Sequence, residues 1–126
     1  MEAEIYPGSC LCGAIRFELQ GAPSDLAHCH CRMCQKAHGA VFATFAIVPH
    51  TAFRFTAGAD RVASYRSSGH ASRSFCPQCG SALQYLPDGR ETFGLAVSAL
   101  DRPLEPQPVR EFCTDSRTDW LARSDP

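Results

Sequence analysis

Eight cysteines in a chain of 126 residues constrain the fold more than any other feature, because thiols held in common by a metal or a cross-link force distant segments together. The stretch "HCHCRMC", from His28 to Cys34, puts three of them beside two histidines within seven residues. With 44% hydrophobic residues the chain can bury a core without cross-links, so the thiols need another purpose. A secreted disulfide scaffold and a metal site in a reducing compartment are the two usual ones. The opening "MEAEIYPGSC" has no basic start followed by an apolar core, which predicts no export signal and a cytoplasmic chain with reduced thiols. The longest apolar run, "AVFATFAIVP", is too short to cross a bilayer.

The cysteines fall into "CLC" (Cys10, Cys12), "CHCRMC" (Cys29, Cys31, Cys34), "CPQC" (Cys76, Cys79) and Cys113 alone. In "CPQCG" two thiols lie three apart across a tight turn, Pro77 restricts the backbone and Gly80 relieves crowding beyond it, which is the pattern of a zinc knuckle. Two ligands cannot complete a tetrahedral site. In "CLC" the spacing of two predicts both side chains on one face of an extended segment. Joining "CHCRMC" to either pair gives five ligands and strands the other pair. The partition that leaves no pair stranded puts Cys10, Cys12, Cys76 and Cys79 in a closed four-thiolate site and Cys29, Cys31 and Cys34 in a three-thiolate site with an open position.

A saturated site is structural, whereas an open position is how catalytic zinc is usually held. Two zinc ions per chain follow, the first tying the N-terminal segment to the middle of the sequence. Four thiolates would also accept iron, but the split between closed and open ligand sets favours zinc. The competing possibility for the triple is a second structural site completed by a histidine. Cys29 and Cys31 are expected on one face of an extended segment, with Cys34 returning as the chain curls. His28 and His30 then point largely away from the metal, as strand-surface or supporting residues, and His38 faces either the pocket or solvent. Cys113, in an apolar stretch, is expected to be buried packing.

Alternating apolar residues predict strands at "AIRFELQ", "AFRFT", "SALQYL" and "ETFGLAVSAL", with a more continuously apolar one at "VFATFAIV". Turn signals separate them at "GAPSD", "TAGAD", "SSGH" and "LPDGR". One short helix is expected around "CRMCQKAHG", ended by Gly39. The fold class is therefore mainly β, antiparallel, with little helix, in a single domain over residues 1–126. Twelve basic and thirteen acidic residues leave a charge of -1 without a basic block, so neither nucleic acid nor membrane is an expected partner. No glycine-rich phosphate loop, "HExxH" or nucleophile elbow is present.

The blocks "GSCLCGAIRFEL", "CHCRMCQKAHGAVFATFAIV" and "RSFCPQCGSAL", with "SALDRPLEPQP" and "DSRTDW" more loosely, resemble the glutathione-dependent formaldehyde-activating enzyme family, which includes the centromere protein V relatives. The resemblance implies a β-tent fold stapled by a structural zinc. It implies the same division of ligands: Cys10, Cys12, Cys76 and Cys79 on structural zinc, and Cys29, Cys31 and Cys34 on catalytic zinc. The implied activity is that of a carbon-sulfur lyase joining formaldehyde and glutathione as S-(hydroxymethyl)glutathione, with a small-molecule substrate and glutathione as the partner. Hydrolysis of imines or related adducts, or a non-catalytic zinc module that binds a protein partner, are the alternatives. Glu111 stands where relatives often carry histidine, and reads as a general base or a charged strand residue, the second being favoured. Arg32, Arg66 and Arg73 are candidates for holding a substrate carboxylate, weighed against a solvated strand face.

Overall fold

A computed structural model describes residues 4–121. In β2 (Arg16–Gln20) Phe17 and Leu19 are buried while Arg16 and Gln20 face solvent, the period of two expected of a half-buried strand. It pairs antiparallel with β1 (Ile5–Ser9) on one side, and across a bulge with the strand Phe53–Ala57 on the other. These three make the smaller sheet. Gly8 lies directly over Phe17: a Cβ there would sit 2.1 Å from Cζ of the ring, so a side chain at this position would collide with the buried ring.

The larger sheet has seven strands. In chain order after β2 they are β3 (Leu26–Cys29), β4 (Ala43–Pro49), β6 (Ala63–Arg66), β7 (Ala71–Phe75), β8 (Ala82–Pro87), β9 (Thr92–Ala96) and β10 (Val109–Phe112), with Phe53–Ala57 as β5 of the smaller sheet. Their spatial order is β10-β3-β4-β9-β8-β7-β6. Neighbours pair antiparallel except β10, which runs parallel to β3 with Glu111 opposite His28 and Phe112 opposite Cys29. The proline-bearing stretch 101–108 carries the chain across to this outer edge without regular structure.

The main core lies between the sheets. Ile15, Phe17 and Leu19 from the smaller sheet and its flank meet Val48, Leu83, Phe93 and Leu95 from the larger, all within 3% of full burial. Phe53 joins the two sheets, its ring 5.1 Å from Phe17 and 5.2 Å from Phe93. Each such side chain contributes about 1.5–3 kcal/mol on burial. Elsewhere the larger sheet packs Ala43 and Phe45 against Cys34, with Ile47, Tyr85, Cys29 and Cys31 around them.

The mainly β, antiparallel expectation holds, and the short helix is where the sequence put it. The helix α1 (Arg32–His38) is capped at its start by Cys31, whose Sγ accepts the Cys34 N–H, and ends at Gly39 in the left-handed conformation. Two expectations need correction. The strand at "ETFGLAVSAL" stops at Ala96, and Val97–Ala99 form a 3-10 turn. Cys10 and Cys12 do not lie on one face of an extended segment: β1 ends at Ser9, and a turn closes as the Gly13 N–H reaches the Cys10 carbonyl at 3.1 Å. A tight turn brings two thiols to one point as well as a pleat does. Among the described residues, no helix is long and apolar enough to cross a membrane.

Candidate functional site

The turn at Cys10–Gly13 meets the knuckle at Cys76–Gly80. In the knuckle the Gly80 N–H bonds the Cys76 carbonyl at 2.7 Å, with Gly80 at φ +82, a conformation glycine adopts without strain. The Sγ atoms of Cys10, Cys12, Cys76 and Cys79 all lie within 4.8 Å of one another. Cys10 to Cys12 is 3.6 Å and Cys12 to Cys76 is 3.9 Å, close to the spacing of about 3.8 Å that bonds of about 2.3 Å impose on sulfurs of a tetrahedral zinc site. Ser81 supports both turns, taking the Leu11 N–H at 2.8 Å and standing 3.3 Å from Cys79 Sγ. Its hydroxyl and N–H hold the Cys79 thiol down to about 5. Burial opposes ionisation of Cys10, but the Ile15 N–H at 3.3 Å and the thiols of Cys12 and Cys76 outweigh it, leaving its pKa below the ordinary thiol value. Four soft donors so arranged suit a metal ion, and this cluster has no ligand position to spare.

The second cluster is built where β3 runs into α1. Cys29 ends the strand, Cys31 is the helix cap in extended conformation, and Cys34 lies in the first turn. Their Sγ atoms also lie within 4.8 Å of one another. The Cys34 N–H points at Cys31 Sγ at 3.3 Å and Arg73 Nη2 at Cys34 Sγ at 3.4 Å, donors of the kind that stabilise a thiolate ligand. Burial pushes the Cys34 thiol up, against the pull of Arg73. This cluster forms one wall of a cavity of about 520 Å³. Phe45, Ile47, Tyr85 and Phe112 supply much of its apolar lining, with His70, Arg73 and Cys113 among the polar groups. Three sulfurs beside a space of this size could hold a metal ion with a position facing a ligand.

Of the three arginines, Arg73 alone lines that cavity. Arg66 is paired with Asp88 on the surface, and Arg32 bonds Gln35. Arg73 lies with its guanidinium 4.9 Å from the Tyr85 ring centre, and its Nε and Nη1 are buried without a hydrogen-bond partner among the described residues. Cys113 is corrected from buried packing to an exposed residue at φ 56 that lines the cavity; apart from Phe112 its near neighbours Glu111, Thr114 and Asp115 are polar or charged, which suits a surface position at the end of β10. His38 packs edge-on against Phe45 at 5.2 Å and lines an adjoining cavity with Arg73. Glu111 is more than a charged strand residue, since its carboxylate meets His28 Nδ1 at 2.7 Å, His30 Nε2 at 3.1 Å and Arg117 at 3.2 Å. His30 is buried rather than on the strand surface. The sequence also gave no sign of Gln35, whose buried amide bonds the carbonyls of His30 and Ser116 and so locks the β3–α1 junction to the C-terminal turn.

The profile of the family described as glutathione-dependent formaldehyde-activating enzyme matches residues 5–116. An uncharacterized lyase of Schizosaccharomyces pombe is 31% identical over 80 residues, covering 64% of this chain and 56% of that protein. A protein of Emericella nidulans, provisionally named a glutathione-dependent formaldehyde-activating enzyme, is 31% identical over 84 residues, covering 62% of this chain and 42% of its own length. The chain thus spans about half the length of these two relatives. A crystal structure of a Rhodobacter sphaeroides protein superposes with a TM-score of 0.68 at 25% identity, over 83% of this chain and 98% of that one.

Proposed function

The chain belongs to the glutathione-dependent formaldehyde-activating enzyme family, and on that premise we propose that it is a single-domain, zinc-dependent carbon-sulfur lyase of the S-(hydroxymethyl)glutathione synthase type, working in the reducing cytoplasm on a small thiol-carbonyl adduct. Cys10, Cys12, Cys76 and Cys79 would hold a structural zinc and Cys29, Cys31 and Cys34 a catalytic one. The observation that carries the reading is the difference between the clusters: four sulfurs complete one, while three sulfurs stand in the wall of the cavity in the other.

Zinc on three thiolates would supply thiolate capture and mild carbonyl polarisation, its net charge of about -1 making it poorly suited to generating hydroxide. The chain's own groups account for the rest. In the condensing direction the thiol sulfur bonds the carbonyl carbon, the carbon-oxygen π bond opens and the thiol proton ends on that oxygen. Tyr85 and His70 line the same cavity and are the groups proposed to pass that proton. Burial holds Tyr85 above its ordinary pKa, so it remains a hydrogen-bond donor at neutral pH. The lining by Phe45, Ile47 and Phe112 suits a small carbonyl substrate.

The test is turnover of glutathione with formaldehyde by the wild type and by Cys31→Ser. Turnover should disappear in the variant while its far-UV spectrum is unchanged; equal turnover in the two would overturn the proposal. Release of ammonia or amine from an imine without added thiol would move the substrate assignment to that class.

A further inference from the structure

A third group of metal-competent side chains lies away from both cysteine clusters. Along β3, Ala27 and Cys29 line the cavity, so His28 between them points to the opposite face. There it meets Glu111 of β10, its parallel neighbour in register, and His30 just past the strand. One ligand atom from each lies within 4.8 Å of the other two. We propose that His28, His30 and Glu111 form a third metal site, which takes a divalent transition-metal ion on two imidazole nitrogens and a carboxylate.

The distances favour it. Imidazole and carboxylate bonds of about 2.0–2.1 Å put tetrahedral ligand atoms about 3.3 Å apart; His28 Nδ1 stands 2.7 Å from Glu111 Oε2 and His30 Nε2 3.1 Å from Oε1, so both imidazoles already face the carboxylate and the contacts need to open by about 0.6 Å or less to admit an ion. His30 is 3% exposed, and its Nδ1 has no hydrogen-bond partner among the described residues. Its ring therefore rests on a single polar contact, through Nε2 aimed at the carboxylate, which is poor compensation for burying an imidazole. A metal bond through that nitrogen repays the burial better. Phe42 walls the site, stacking on His28 at 4.0 Å and lying 5.2 Å from His30, so both rings are held in orientation. Imidazole and carboxylate select zinc, nickel or copper over calcium or magnesium. Arg117, 3.2 Å from Glu111 Oε1 and about half exposed, is the competing cation and is free to swing into solvent. An ion here would pin β10, a four-residue edge strand, to β3, and so fix Phe112 and Cys113 at the cavity.

The probe is cobalt(II), titrated anaerobically into metal-free protein. Thiolate-bound cobalt shows strong near-ultraviolet charge-transfer absorption, and cobalt on nitrogen and oxygen does not. The absorption should saturate first, followed by one further equivalent, detected by equilibrium dialysis, that adds none. Glu111→Gln and His28→Asn should each lose that equivalent while keeping the charge-transfer bands, which report a folded chain with its sulfur sites intact. Arg117→Ala should bind it several-fold more tightly. Failure of the wild type to bind a sulfur-independent equivalent, or its survival in both Glu111→Gln and His28→Asn, would overturn the proposal. The charge-transfer bands report the thiolate clusters separately, so the fate of this site does not depend on theirs.

Discussion

Arg73 stands with one guanidinium nitrogen 3.4 Å from Cys34 Sγ and two others buried without partners among the described residues. A cation so placed faces the sulfurs of three cysteines, and its N–H donor lowers the cost of ionising Cys34 against the burial that opposes it. Arg73→Met keeps most of the volume and removes the charge. It should lower the metal affinity of the three-thiolate cluster by about 10–100-fold, read by competition with a chromophoric chelator; unchanged affinity would mean that Arg73 only packs. The same charge reaches His38. Burial first, and Arg73 second, hold the His38 pKa below 6.5. Between that folded-state value and 6.5 the unfolded chain binds more protons, so stability falls as pH drops from 6.5 through the lower value. His38→Asn should remove this share of the acid loss, and NMR titration of the His38 ring should give a midpoint below 6.5 that rises in Arg73→Met.

At the scale of elements, the two cysteine clusters are made by junctions rather than by regular structure. The strand β3 ends on Cys29, the cap of α1 is Cys31, and the helix turns Cys34 back towards both. A seven-residue helix is too short to be stable alone, so α1 is held by Cys34 and Phe45 packing and by the Gln35 amide nitrogen, which donates to the carbonyls of His30 and Ser116. Close approach matters as much as pairing in the smaller sheet. Gly8→Ala would drive a methyl into the ring of Phe17, itself 1% exposed and packed on Phe53. Overpacking of this kind costs about 1–3 kcal/mol, and a lower urea midpoint at unchanged slope would register it.

For the molecule as a whole, the four-thiolate cluster joins residues more than sixty positions apart, next to the seam where Gly8 bridges Leu100 and the Asp101 N–H bonds the Pro7 carbonyl at 2.8 Å. A metal bound there stabilises the folded state directly. Cys76→Ser should lower the thermal midpoint by about 10 °C or more, as expected for a loss of about 3 kcal/mol in a domain of this size. Brief mild chelation should instead empty the three-thiolate cluster and stop turnover with little change in the midpoint. Equal thermal losses in the two experiments would contradict the division into a structural and a working site.

Much of this was legible in the sequence. The alternation in "AIRFELQ" and "AFRFT" gives β2 and β5, because a half-buried strand must sort its side chains with a period of two. The helix stop at Gly39, and the sorting of seven cysteines into a set of four and a set of three, needed only turn chemistry and ligand arithmetic. Strands β1, β6, β7 and β10 were not legible, and β3 only at its Cys29 end, since they are short and their apolar residues do not alternate cleanly. Nor was the geometry around the sites. Glu111 meets His28 and His30, Arg73 meets Cys34 and Cys113 reaches the cavity only because β10 lies parallel beside β3 and β7 beside β8. The sequence by itself determined how seven cysteines sort into a set of four and a set of three, because thiol spacing is local. Tertiary structure alone decided which charges face those ligands and where the cavity opens, because contacts between residues thirty to eighty positions apart depend on strand order.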